Sequence, residues 1–196
     1  MKTRAFAPEK LDVQAFIEDA ASLTGQTPVA ALPRLASGLS PEADLAGLPP
    51  VTWSATGRLV PQRVGAPELW LDLQAEADLE WECQRCLHGV RLPVTLERQI
   101  RFARDEAEAA QLDADSDDDV LGLSRNFNLI ELIEDELIMA QPIVPRHEAC
   151  PTDVASLMAD ESETPVPGAP VDAEPVAPER PHPFAALAAL KKPKPD

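Results

Sequence analysis

From Leu69 to Cys83 apolar or small side chains recur at every second position (Leu69, Leu71, Leu73, Ala75, Ala77, Leu79, Trp81, Cys83), with mostly Asp, Glu and Gln between them. A second run does the same through Val90, Leu92, Val94, Leu96, Ile100 and Phe102, interrupted only at Arg98. A period of two sends one set of side chains to a buried face and the other to water. Two such runs joined by about half a dozen residues predict an antiparallel hairpin with Cys83-Gln84-Arg85-Cys86 at its tip. Val51, Trp53, Ala55, Gly57 and Leu59 also alternate and predict a third strand, ended by Pro61. Three antiparallel strands with a shared apolar face are the minimum for independent stability, which places the core at residues 51–103.

Outside that core the period changes. Leu11, Phe16, Ile17, Ala20 and Ala21 have helical spacing over residues 11–23. Thr27-Pro28 reads as an N-cap with proline in the first turn of a short helix carrying Val29, Leu32 and Leu35, although Pro33 falls inside it. Residues 39–50 read as a loop, and Asp105 to Asp119 as an exposed acidic loop that lacks the glycine and closing glutamate of a calcium site. Val120, Leu121 and Leu123 suggest a short strand. From Asn128, a plausible N-cap with Glu131 three residues on, Leu129, Ile130, Ile133, Leu137 and Ile138 form a helical stripe. Glu134, Asp135 and Glu136 then take the water-facing side, and Pro142 ends the helix. The expected fold is α+β: an antiparallel sheet over about residues 50–103, packed by a helix over about 128–140, with short N-terminal helices. Residues 1–155 read as one domain, 156–183 as a disordered acidic and Pro-rich linker, and 184–196 as a short peptide. In that peptide Phe184, Leu187 and Leu190 are spaced by three and followed by Lys191, Lys192 and Lys194, so it is expected to bind a partner.

Charge sharpens this outline. The net charge is −17, but residues 105–179 hold 20 acidic against 2 basic side chains, whereas residues 1–104 are nearly balanced at 13 against 11. Such a field repels a phosphate backbone and attracts basic proteins. The local exception is Arg85, Arg91, Arg98, Arg101 and Arg104, for which a solvated strand surface is a plainer reading than a nucleic-acid footprint. No apolar stretch approaches the length of a membrane span and the start is not followed by a hydrophobic run, so neither a membrane partner nor a secretory signal is expected. Three cysteines are too few and too odd for a disulfide framework, so the expected compartment is the reducing cytoplasm.

The chemistry therefore rests on Cys83 and Cys86. A hairpin tip is a poor place for two thiols as core filler, and zinc needs four ligands, usually as two close pairs. His147 and Cys150 are the obvious second pair, with His88 as a competitor. An unmetallated turn and a redox pair remain alternatives, the last weakened because a hairpin offers no helix N-terminus to lower a thiol pKa. No phosphate loop, dinucleotide fingerprint, nucleophile elbow or metalloprotease motif occurs. A non-enzymatic adaptor or assembly protein is the economical class, and a small zinc- or thiol-dependent enzyme or redox sensor using Cys83 and Cys86 is the alternative.

Three segments carry a resemblance: Glu82 to Cys86, then Leu132 to His147 with its Glu134-Asp135-Glu136 helix and proline pair, then Pro183 to Lys191. They resemble, in order, the signatures of the bacterial YceD family, which is linked to accumulation, processing or stability of the large-subunit (23S) ribosomal RNA. Some relatives have a further cysteine cluster after the Pro-x-x-Pro segment; here His147 stands where a cysteine occurs in them, and Cys150 is the only thiol that follows. The resemblance implies a ribosome-biogenesis factor whose partners are large-subunit ribosomal proteins, pre-ribosomal particles or rRNA. The candidate contact residues are Arg85, Arg91 and Arg101, the helix acids Glu134, Asp135 and Glu136, and Phe184, Leu187, Lys191 and Lys192 of the peptide.

Overall fold

In the computed structural model the described residues are 4–116 and 118–152. The expectations for segments 156–183 and 184–196, including Phe184, Leu187, Lys191 and Lys192, lie outside them. The alternating runs form β2 (Val51–Val60), β3 (Glu68–Glu82) and β4 (Gly89–Ala103). β3 and β4 pair antiparallel from Leu69 opposite Phe102 to Glu82 opposite Gly89, and Cys83 N–H donates to the His88 carbonyl at 2.9 Å to close the loop. Pro93 sits opposite Asp78, on a stretch of β4 that β5 does not reach, where a missing N–H costs no ladder bond.

Among the described residues the sheet has five strands in the order β1-β2-β3-β4-β5: the three alternating runs, the short strand expected near Val120, and one on the N-terminal side that no alternation marks. β1 (Ser22–Thr27) pairs antiparallel with β2, and β5 (Asp119–Gly122) pairs parallel with β4. The fold is α+β. The N-terminal helix is shorter than its spacing suggests: α1 spans Val13–Glu18, and Ala20, in the left-handed region at φ 46°, turns the chain into β1. Thr27 is not a cap. It ends β1, where its hydroxyl accepts the Trp53 indole N–H at 3.0 Å. A single 3₁₀ turn over Val29–Ala31 follows, and α2 (Pro33–Ser37) starts at the proline, whose fixed φ suits a first turn.

The acidic stretch after β4 is also a correction. Residues Glu106–Asp115 form α3, capped by Asp105, whose side chain accepts Glu108 N–H at 2.9 Å. Its alanines favour helix more than its charges oppose it, and Ala109 packs with Ala103 and Val120 in a small satellite cluster. Helix α4 (Leu129–Met139) has the expected cap: Asn128 Oδ1 accepts from Ile130 N and Glu131 N at 3.1 and 3.3 Å. Leu129, Ile133 and Leu137 are fully buried in one cluster with Phe16, Ile17, Leu71, Leu73, Leu79 and Ile100, so α1 and α4 cover the apolar face of the sheet. Leu11 and Phe127 exchange backbone hydrogen bonds of 2.8 and 2.9 Å, which ties the chain before α1 to the approach to α4.

Candidate metal centre

β3 ends one residue before Cys83, and the loop to β4 turns through Gln84, Arg85 and Cys86. Leu87 N–H donates to the Cys83 carbonyl at 2.8 Å, and Leu87 itself takes the left-handed conformation at φ 63°. The turn aims backbone N–H groups at sulfur. Burial pushes the Cys83 thiol up, but backbone hydrogen bonds from Arg85, His147 and Cys86 and the His147 ring outweigh it and bring the thiol to about 5. For Cys86 burial is the largest influence and raises its pKa, and the neighbouring Cys83 and Cys150 sulfurs act in the same direction.

Sixty residues later the chain returns to this tip. After α4 and Pro142, the Pro145 carbonyl accepts Gln84 N–H at 2.9 Å, which sets His147 and Cys150 beside the cysteine pair. One donor atom from each of Cys83, Cys86, His147 and Cys150 lies within 4.8 Å of all the others. Cys83 Sγ is 3.9 Å from Cys150 Sγ, and Cys86 Sγ is 3.5 Å from His147 Nδ1. A tetrahedral zinc with bonds of about 2.0–2.3 Å separates its ligands by roughly 3.5–3.8 Å, so these two edges fit the ion. The histidine is also oriented for it. His147 Nε2 lies 3.1 Å from the Gly89 carbonyl, a partner that can only accept. The Nε2–H tautomer follows, leaving the Nδ1 lone pair toward Cys86, and a backbone carbonyl on the far nitrogen is the usual outer support of a metal-binding histidine. His88 is not part of the group: its ring points to Glu42, 4.0 Å away. An ion held by all four protein donors would have a closed tetrahedral set, the pattern of a structural site.

The arginines of the β3–β4 hairpin also have partners within the chain. Arg91 lies 3.8 Å from Glu80, Arg101 2.6 Å from Glu68, and Arg98 2.8 Å from Glu136. Arg85 turns inward, donating to Cys150 Sγ and to the carbonyls of His147 and Glu148. Glu134 departs most from its expected place: it is 3 % exposed rather than in water. Its carboxylate accepts Arg34 N–H at 2.7 Å, Leu35 N–H at 3.1 Å and Arg34 Nε–H at 3.0 Å, capping α2 across about a hundred residues of chain. Asp135 is half-exposed and pairs with the same Arg34. No local signal marks Arg34, because its partner is defined only by the packing of α2 on α4. A groove of about 730 Å³ beside this pair, lined by Glu9, Lys10, Asn128 and Glu131 among others, carries no convergent catalytic set.

A sequence model described as "Large ribosomal RNA subunit accumulation protein YceD" matches residues 71–191, more than half of the chain. The chain belongs to the YceD family. The YceD match begins within β3 and takes in the hairpin tip, α4 and all four candidate ligands. No curated protein and no solved structure matches the chain. No helix among the described residues is long and apolar enough to cross a membrane.

Proposed function

We propose that this YceD protein is a non-enzymatic, cytoplasmic ribosome-biogenesis factor that supports synthesis, processing or stability of 23S rRNA. The family match over residues 71–191 carries the reading. The resident ion of that reading is zinc, held by Cys83, Cys86, His147 and Cys150 as a clip between the hairpin tip and the segment after α4. When bound, zinc supplies cross-linking energy to that junction. The direct partner is a basic ribosomal protein rather than bare rRNA. The acidic excess favours a cationic surface, and Arg91, Arg98 and Arg101 already pair with carboxylates while Arg85 is turned into the cysteine cluster.

The test has two arms. Deletion of the gene, with re-expression of the full chain, should lower 23S rRNA relative to 16S and restore it; normal 23S rRNA and normal large subunits in the deletion strain remove the proposal. Pull-down with graded salt should then retain ribosomal proteins and lose protein-free rRNA early. Retention of protein-free rRNA at a salt concentration that strips the proteins would reverse the partner assignment.

A further inference from the structure

The Cys-x-x-Cys loop carries its own cation, and the fold turns that cation back over the cluster. Arg85 Nε donates to Cys150 Sγ at 2.9 Å. Its Nη2 donates to the His147 carbonyl at 3.1 Å and the Glu148 carbonyl at 3.4 Å. One planar fork thus joins the hairpin tip to the segment that supplies the other two donors. Charge points the same way. Three thiolates, one neutral imidazole and a divalent ion would sum to −1, and Arg85 is a cation in hydrogen-bond contact with the set. An exposed arginine at a loop tip would serve equally as a hook for phosphate, but this one has its donors aimed inward at sulfur and two carbonyls.

We propose that Arg85 is the positioning residue of the metal centre: it holds residues 147–150 at the hairpin tip in ligand geometry and offsets the surplus negative charge through its hydrogen bond to Cys150 Sγ. The inference rests on the zinc reading above. A hydrogen bond from a cation draws electron density from the thiolate, so Cys150 is less nucleophilic, and the positive charge relieves repulsion among the three anionic sulfurs that would hold the ion. Lysine at the same place keeps the charge but is a point donor, unable to bridge sulfur and two carbonyls together.

The experiment uses the full chain loaded with zinc, as wild type, Arg85→Gln and Arg85→Lys. Zinc affinity is read by competition with a chromophoric chelator at low and high salt. The zinc-loaded forms are then alkylated with iodoacetamide and the modified cysteines located by mass spectrometry. Arg85→Gln should weaken zinc about 10- to 100-fold, and Arg85→Lys should fall between it and wild type. The gap between Arg85→Gln and wild type should narrow as salt rises, a change that a purely steric role would not produce. Cys150 should be alkylated faster than Cys83 and Cys86 in Arg85→Gln, where wild type is protected. Wild type that takes up no zinc defeats the metal reading itself. Wild type that binds zinc, with Arg85→Gln binding as tightly and Cys150 no more reactive, overturns the role of Arg85 and leaves the zinc site standing. Arg85→Lys decides the same question where Arg85→Gln does not fold: wild-type affinity in the lysine form contradicts the need for the fork.

Discussion

Two residues show how much a single side chain decides here. Leu87 is 66 % exposed yet left-handed at φ 63°, a conformation that costs an L-residue roughly 1–2 kcal/mol. Its packing does little to offset that cost; the turn it permits closes the cysteine loop. Leu87→Gly should therefore melt at or above the wild-type temperature, whereas Leu87→Val, β-branched in the same conformation, should melt lower. The reverse order in thermal unfolding would show that the leucine makes a contact worth more than the strain. Glu134 is the opposite case, a buried acid whose value lies in the donors it satisfies. Glu134→Ala strands Arg34 N–H and Leu35 N–H in a buried or half-buried junction, and should cost on the order of 2–3 kcal/mol in denaturant unfolding. Glu134→Gln, which keeps an acceptor, should cost less.

Among the elements, the pairing of α1 on β2 depends on Gly57. A Cβ there would meet Ile17 Cα at 2.7 Å and the Phe16 carbonyl oxygen at 3.0 Å, both backbone atoms that cannot swing aside. Gly57→Ala should lower stability by about 1–3 kcal/mol, read as a lower denaturant midpoint. Helix α3 has a pH signature. The Glu108 N–H, helped by Arg104 and the Ala107 N–H, outweighs desolvation and holds the Asp105 carboxyl below its ordinary value of 3.8. The folded state thus prefers the carboxylate. Its contribution is present above pH 3.8 and is lost as pH falls through the lowered folded value. The protection of the Glu108 amide from hydrogen exchange, taken relative to its intrinsic rate at each pH, should fall on acidification through that range, while Asp105→Asn, a cap without a charge to lose, should remove the dependence. Unchanged protection in the wild type down to pH 2 would contradict the capping account.

For the molecule as a whole, the proposed metal clip should be energetically separable from the sheet. Of the four candidate ligands only Cys83 is buried in the cluster under α1 and α4, with Cys86 and Cys150 packed at its edge, and none lies within the β3–β4 ladder. Stripping zinc with a strong chelator should therefore leave the far-ultraviolet spectrum near native, lower the melting temperature by several degrees, and expose residues 143–150 to protease. Ile143 and Val144 are already 93 % and 53 % exposed, and beside the clip the segment is restrained by the Gln84–Pro145 hydrogen bond, the His147–Gly89 contact and the fork of Arg85. Global loss of strand signal on chelation would instead make the ion part of the folding core.

What is local could be read along the chain. The period of two located β2, β3, β4 and their buried faces, because each side-chain direction there is set by its neighbours. Asn128 announced the start of α4 because a cap acts within three residues. The cysteine pair and the His147/Cys150 pair were legible as donor types at ligand spacing. The rest depended on distant parts of the fold. β1 has weak alternation and a glycine, and becomes a strand because Trp53 of β2 lies against Gly25 and its N–H reaches Thr27. Helix α3 was hidden by its charges until Ala103 and Val120 gave Ala109 a surface to bury. His147 rather than His88 joins the cysteines because the Pro145 carbonyl and Gly89 carbonyl bring it there and orient its ring. Arg34, Arg98 and Glu134, which look like solvent-facing charge in one dimension, are paired by three-dimensional packing, since an ion pair depends on distance in space and not along the chain.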